Sequence, residues 1–263
     1  MNQVPEMQQP ACENTAPRVG LYVTCLVNTM RPSVGFSALQ LLEDAGCDVS
    51  VPERQSCCGQ PAYNSGDDEG TRAIAKQIIE AFEQFDYTVV PSGSCGAMIK
   101  VHFVELFAKD DPWLERARRL AEKTYELLSF LDEICHYRPT DLRVDAKYTY
   151  HHSCSGLREL NVYQQPFNLL EAVEALEVKK LNGDQECCGF GGTFCVKQSD
   201  LSNQIVTEKV TNVRDSGASL LLGGDMGCLM NMAGKLSRQG NRDISVMHTA
   251  ELLAGMLPDN VEQ

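Results

Sequence analysis

Short apolar runs and helical stripes of apolar residues alternate along the first half of the chain. The run at 19–24 predicts a strand, and the spacing of Phe36, Leu39 and Leu42 predicts a helix that Gly46 ends. The rest of this half predicts strands at 47–51 and 87–90, a helix with Ile74, Ile78, Phe82 and Phe85 along one stripe, and a helix over 97–107.

The second half repeats this order. It predicts strands at 148–151, 177–181 and 219–224, one helix through Phe167, Leu170 and Val173, and another through Val206, Val210 and Val213. Strands that alternate with helices of this length are typical of parallel sheets with helices on their faces. The sequence therefore predicts an α/β fold built from two tandem β-α-β repeats with parallel sheets and flanking helices.

These patterns divide the chain into four segments. Residues 1–17 are expected to form a polar, mobile tail, and the repeats are expected at 18–110 and 148–257. Between them, 111–134 predicts one long amphipathic helix and 136–146 a polar linker, so that 111–147 connects the repeats.

Composition excludes several classes of protein. The 263 residues carry a net charge of −13, which disfavours a surface for nucleic acid or anionic membrane, because both require clustered Lys and Arg. No apolar run approaches the roughly 20 residues of a membrane span, and the N-terminal segment lacks the basic start and apolar core of a secretory signal. We therefore expect a cytoplasmic protein without an integral membrane segment.

The chain contains 12 cysteines, and eight of them fall into register when the halves are aligned. Cys25, Cys57, Cys58 and Cys95 correspond to Cys154, Cys187, Cys188 and Cys228, at offsets of 129, 130, 130 and 133 residues. Agreement in spacing, order and flanking glycines indicates an internal duplication. Right-handed crossovers place the loops that follow parallel strands at one sheet edge, so the four cysteines of each half should converge there.

Four convergent cysteines suit more than one chemistry. Disulfides are disfavoured in the cytoplasm, and adjacent cysteines are strained partners for each other. Zinc accepts four thiolates but usually takes pairs separated by two to four residues. Adjacent thiolates better suit an iron–sulfur cluster, and Gly59 and Gly189 would let the backbone turn close to it. Buried free thiols, and a thiol–disulfide enzyme that uses the paired cysteines, remain as alternatives.

The pattern C-(about 32)-CCG-(about 36)-C, present twice, resembles the cysteine-rich CCG domain family, which includes the cysteine-rich subunit of heterodisulfide reductase and the glycolate oxidase iron–sulfur subunit. The stretches VTCLVNTM, SCCGQPAYNSGD, VVPSGSCGAM, SCSGLREL, CCGFGGTF and GDMGCLMN are similar to the lactate utilization protein A branch. This resemblance implies an iron–sulfur subunit that acts with two other subunits to oxidise L-lactate to pyruvate. It also implies that each cysteine quartet binds one cluster, and the four ligands favour the [4Fe–4S] type. The alternative is a scaffold subunit that binds zinc and has no redox activity.

Four residues depart from the family pattern or stand beside it. In the cysteine-rich subunit of heterodisulfide reductase the last ligands of each repeat are Cys-x-x-Cys, whereas this chain has Ser92 and Asp225 at the first of these positions. We expect both to cap the following helix; an oxygen ligand to the metal centre is the alternative role. We expect His152 to be a strand-end residue that faces water, and Cys195 to be a spare thiol. Cys12, Cys47 and Cys135 are likewise interpreted as structural or tail thiols.

Overall fold

The computed structural model describes residues 16–257, and the predicted tail therefore lies almost entirely outside the described residues. The first sheet contains β1 (Arg18–Leu21), β2 (Asp48–Ser50), β3 (Tyr87–Val90) and β4 (Thr124–Glu126), in the order β2-β1-β3-β4. The second contains β5 (Arg143–His151), β6 (Glu174–Val178), β7 (Leu220–Gly223) and β8 (Ser245–His248), in the order β6-β5-β7-β8. All neighbouring strands are parallel, which confirms the predicted α/β repeats with parallel sheets.

Helices connect the strands and cover the sheet faces. In the first half they are α1 (Cys25–Met30), α2 (Pro32–Asp44), α3 (Gln60–Tyr63), α4 (Asp68–Phe82), α5 (Gly93–Ala97), α6 (Phe103–Glu105), α7 (Pro112–Glu122) and α8 (Leu127–Ser129). In the second half they are α9 (Cys154–Glu159), α10 (Gln165–Leu170), α11 (Phe194–Lys197), α12 (Ser199–Asp215), α13 (Met226–Arg238) and α14 (Thr249–Leu253). A π-helical turn over Met98–His102 joins α5 to α6, and a second, Phe130–Ile134, follows α8.

The prediction of one long helix over 111–134 is wrong. The helix ends at Glu122, and Thr124 and Tyr125 enter the first sheet, where they pair with Thr88 and Val89. Thr and Tyr fit a pleated, buried surface, and the pairing with β3 outweighs the helical periodicity of the flanking residues. The second sheet has a matching fourth strand, β8, which the sequence patterns also did not predict.

Three further elements differ in detail from the prediction. β5 begins at Arg143, inside the predicted polar linker. β6 begins three residues before the strand predicted at 177–181 and overlaps its first two residues. The helix predicted through Phe36 is present as α2, but its buried face carries Val34, Ala38 and Leu41. Phe36 itself is 71% exposed.

The two repeats pack around a shared core. Its buried side chains include Val19, Leu21 and Val89 from the first sheet and Tyr148, Leu220 and Leu222 from the second. An ion pair also joins the repeats, because Arg31 Nε lies 2.7 Å from the buried Glu251 carboxylate, which accepts a second hydrogen bond from Ser33. The chain therefore forms one packed body, and the loops that follow the strands of the two sheets meet.

Candidate metal centres

The first cysteine of each quartet begins a short helix directly after a strand. Cys25 is the first residue of α1, and Thr24 caps that helix by accepting a hydrogen bond from Val27 N. Cys154 begins α9 in the same way, and Ser153 accepts a hydrogen bond from Gly156 N. Helix N-termini carry unpaired amide groups and partial positive charge, so both thiols lie where a negative charge is stabilised.

The last cysteine of each quartet also lies in the first turn of a capped helix. Cys95 is in α5, where Ser92 accepts a hydrogen bond from Cys95 N at 3.3 Å. Cys228 is in α13, where Asp225 accepts a hydrogen bond from Gly227 N at 3.1 Å. Ser92 and Asp225 therefore cap the helices, as the sequence predicts.

The adjacent cysteine pairs lie in turns that depend on glycine. Gly59 and Gly189 follow the two pairs and have φ angles of 85° and 81°, a region that residues with a Cβ rarely adopt. A Cβ on Gly189 would also approach Ser202 O to 2.8 Å. In the second turn, Gly189 N donates to Cys187 Sγ at 3.2 Å, so the turn directs an amide at the sulfur of a candidate ligand.

Within each half, the thiols interact in the same order. In the first half, Cys25 and Cys58 donate hydrogen bonds that lower the pKa of Cys57, and Cys58 also interacts with Cys95. In the second half, hydrogen bonds from Cys154 and Cys188 lower the pKa of Cys187, and Cys188 interacts with Cys228. The structure therefore brings all eight predicted site cysteines together as two separate quartets.

A cavity opens at each quartet. The one at the first quartet has a volume of about 220 Å³, and the one at the second about 270 Å³. Both are lined by Ser94, Phe190 and Asp225, so the two sites are neighbours. Among the described residues that line them there is no Lys or Arg, and the histidine of the second cavity, His102, lies within hydrogen-bond distance of Glu105 and Glu159.

Asp225 connects the two sites through a buried network. One carboxylate oxygen accepts hydrogen bonds from Ser92 Oγ at 2.9 Å, Ser94 N at 2.9 Å and Ser94 Oγ at 2.7 Å. The other oxygen caps α13. With these four donors the buried charge is well satisfied, and the two helices that carry the last cysteines are held together.

The two consecutive histidines at the end of β5, His151 and His152, are both buried, which the sequence analysis did not predict. His152 was expected to face water, but it is 3% exposed and its ring stacks on Tyr163 at 4.8 Å between centroids. The reason is that the segment after β5 carries an aromatic cluster that encloses the strand end. His151, which sequence reasoning did not select, is 1% exposed, and its ring reaches the second quartet. Its position three residues before Cys154 is the signal that could have found it.

The remaining described cysteines lie apart from the quartets. Cys195 donates a hydrogen bond to Gly192 O at 3.3 Å and lines neither cavity. Cys47 precedes β2 and Cys135 follows the second π-helical turn, and their sulfur atoms are 3.9 Å apart. Cys12 lies outside the described residues.

The donor sets fit a thiolate-bound metal centre. Each quartet offers four sulfur atoms, and Cys58, Cys95, Cys188 and Cys228 are buried. Thiolates are the ligands of zinc and of iron–sulfur clusters, and amides directed at sulfur are a feature of cluster sites. One nitrogen of His151 and the sulfurs of Cys188 and Cys228 lie within 4.8 Å of one another, so a ring nitrogen lies beside the sulfurs of the second site.

Comparison with known proteins places this geometry in a family. The model of the cysteine-rich domain matches residues 19–100 and 148–233, one match for each repeat. Lactate utilization protein A of Halalkalibacterium halodurans is 48% identical over 90% of this chain and 96% of its own length. Lactate utilization protein A 2 of Bacillus cereus strain AH820 is 45% identical over 90% of this chain and 98% of its own length.

A solved structure shares the fold. It is that of a hypothetical protein from Helicobacter pylori, with a TM-score of 0.64 and 12% identity. The match covers 94% of this chain and 50% of that one, so this chain spans half of the length of that protein. Within residues 16–257, no helix combines the length and apolar character that crossing a bilayer requires.

Proposed function

Because the chain belongs to the cysteine-rich domain family and to the family of lactate utilization protein A, we propose that it is the iron–sulfur subunit of a complex that oxidises L-lactate to pyruvate. In this proposal each cysteine quartet holds one cluster, of the [4Fe–4S] type, and the protein carries electrons between the lactate-oxidising step and an acceptor. The observation that carries the proposal is that all four cysteines of each quartet line one cavity, at the same place in both repeats.

The residues of each site would act as ligands and as stabilisers of negative charge. Cys25, Cys57, Cys58 and Cys95 would hold the first cluster, and Cys154, Cys187, Cys188 and Cys228 the second. A bound cluster would supply one-electron oxidation and reduction. The helix N-termini and the Gly189 amide would stabilise the anionic sulfurs, and Asp225 would keep the two sites in fixed relation.

The surroundings of the quartets support a role in electron transfer rather than in lactate binding. A lactate carboxylate is normally recognised by Arg or Lys, which form charge-assisted hydrogen bonds with it. The described residues that line the two cavities include neither. In the proposal, lactate therefore binds and loses its hydrogen atoms elsewhere in the complex, and two other subunits complete the activity.

Metal analysis of the full chain, purified without oxygen, tests the proposal. We expect brown protein that contains near-equal iron and acid-labile sulfide, in an amount equal to two clusters per chain. Colourless protein with about one zinc per quartet would support the alternative, a zinc-bound scaffold subunit. Catalysis of thiol–disulfide exchange by metal-free protein would support the third possibility, an enzyme that uses the paired cysteines.

Purification from a native host tests membership of a complex. We expect an affinity-tagged chain to co-purify with two other proteins, and the assembly to reduce an electron-accepting dye when L-lactate is added. The chain alone should hold clusters but show no lactate-dependent reduction. Lactate oxidation by the isolated chain would contradict the assignment of substrate binding to a partner.

A further inference from the structure

The two sites differ at one position next to the first cysteine. Tyr22 and His151 each precede that cysteine by three residues and lie at the ends of β1 and β5. Tyr22 uses its hydroxyl to donate to Ser56 O at 2.5 Å, so this polar group is already satisfied. His151 has no such contact, and its two ring nitrogens are buried without a hydrogen-bond partner among the described residues.

The His151 ring lies beside two cysteines of the second quartet. One ring nitrogen lies within 4.8 Å of the sulfurs of both Cys188 and Cys228. Burying an imidazole without a hydrogen-bond partner is unfavourable, and such a group is commonly explained by a bound water, an ion or a functional role. The unsatisfied nitrogen therefore points to a group bound by the second quartet.

A second difference lies on the helix that packs against each cysteine pair. Ile74 of α4 contacts Gly59, and Ile205 of α12 is the equivalent contact of Gly189. One helical turn later the first half has the buried Ile78, whereas the second half has Lys209, which is 1% exposed. The first site therefore meets a hydrocarbon side chain where the second meets an ammonium group.

Lys209 is held in place by the backbone before the cysteine pair. Its Nζ donates to Gly183 O at 2.5 Å and to Asp184 O at 3.3 Å. Burial lowers its pKa, and the carboxylates of Glu186 and Asp184 and the thiols of Cys188 and Cys154 act in the opposite direction. The ammonium group thus interacts electrostatically with two cysteines of the second quartet.

We propose that the His151 ring donates a hydrogen bond to a sulfur atom of the metal centre of the second quartet, that Lys209 is a positive charge beside that centre, and that the second centre consequently has the higher reduction potential. The inference rests on the proposed function. A hydrogen bond to a cluster sulfur and a nearby cation both stabilise the more negative, reduced form, so both raise a cluster's potential. The first site, with Tyr22 and Ile78, has neither feature.

Redox titration of the anaerobically reconstituted full chain, followed by electron paramagnetic resonance, tests the ordering. We expect two transitions in the wild-type protein. His151→Phe and Lys209→Met should each lower the higher transition and leave the lower one in place. His152→Phe and Lys235→Met, at a half-buried lysine that contacts Asn203 instead of the quartet, are the matched controls and should leave both unchanged. The iron content should stay at the wild-type level in both His151→Phe and His152→Phe, because all four cysteine ligands remain.

Pulsed electron paramagnetic resonance on protein labelled with ¹⁵N-histidine detects the interaction between a histidine nitrogen and the metal centre directly. The wild-type protein should show nitrogen coupling that changes with the label, that disappears in His151→Phe and that persists in His152→Phe. Two intact clusters without this coupling, or with potentials that neither substitution moves, would overturn the inference and leave the proposed function standing. A wild-type protein that binds no iron would instead overturn the proposed function, and this inference with it.

Discussion

Ser92 Oγ donates to Asp225 Oδ2 at 2.9 Å and so joins two residues that are equivalent in the duplicated sequence but 133 positions apart. Each caps the helix that carries the last cysteine of its own quartet. The hydrogen bond between Ser92 and Asp225 therefore holds the two sites in a fixed relative position, and the two caps hold α5 and α13 to the loops that precede them.

Asp225→Ala should destabilise the apoprotein more than the loss of an ordinary helix cap. The substitution removes a cap and leaves Ser92 and Ser94 without their buried acceptor, which should cost about 2–4 kcal/mol. Asp67→Ala, which removes only the exposed cap of α4, should cost about 1 kcal/mol. Urea unfolding under reducing conditions measures both, and equal losses would contradict the linking role of Asp225.

Gly93→Ala should push α5 of the first repeat away from α9 of the second repeat, next to the two cysteine quartets. A Cβ on Gly93 would lie 2.4 Å from Ser153 Oγ and 2.9 Å from the backbone of Gly156, where α5 meets α9. The backbone cannot yield without moving a helix, so we expect a loss of about 2–3 kcal/mol and weaker cluster retention. Gly234→Ala on α13 is the control: it has space for the methyl group and should stabilise by about 0.5–1 kcal/mol. A neutral Gly93→Ala would show that the helices do not require this close approach.

Glu126 should make the stability of the apoprotein depend on pH. Burial raises the pKa of this carboxyl group to about 8, although the hydrogen bonds that one oxygen accepts from Leu128 N and Ser129 N act in the opposite direction. The other oxygen has no partner among the described residues. In the unfolded chain the group ionises near 4.5. Between pH 4.5 and 8 the unfolded chain therefore binds fewer protons than the folded protein, and the free energy of unfolding falls as pH rises through this window.

Glu126→Gln removes this dependence and should gain stability relative to the wild type by about 2–4 kcal/mol between pH 5 and pH 8. Above pH 8 the difference should stay constant. Unfolding curves at several pH values measure it, and wild-type and variant curves that run parallel would show that the carboxyl group is ionised throughout.

Cys58→Ser and Cys188→Ser should each lower the iron content by about one cluster, because each removes a buried thiol that contacts two others in its quartet. Cys195→Ser is the matched control, since its thiol lines neither cavity, and it should keep the wild-type iron content. Iron and sulfide assays after anaerobic reconstitution measure the effect. An equal loss in all three variants would show that the ligands are assigned incorrectly.

The repeats could be predicted because their signals are local and occur twice. Apolar periodicity identified β1, β3, β5 and β7, and the register of eight cysteines indicated that the halves share one topology. The positive φ angles of Gly59 and Gly189 were likewise expected, because a chain that turns directly after two cysteines needs a residue without a Cβ.

The outer strands and the second site's asymmetry could not be predicted in this way. β4 has three residues, too few for a period-two pattern, and it forms because β3 offers unpaired backbone groups at its edge. His151 and Lys209 have no motif of their own. Their relation to the quartet arises from the packing of β5 and α12, which only the folded chain displays.

The walls of the two cavities have a consequence for biogenesis. The first quartet is translated by residue 95, but its cavity is closed by Phe190, Met226 and Gly227 of the second repeat. While the residues between 95 and 227 are being synthesised, the thiols of the first quartet are exposed to water, oxygen and free metal ions. We therefore expect the proposed cluster to be inserted only after the second half has folded over the first.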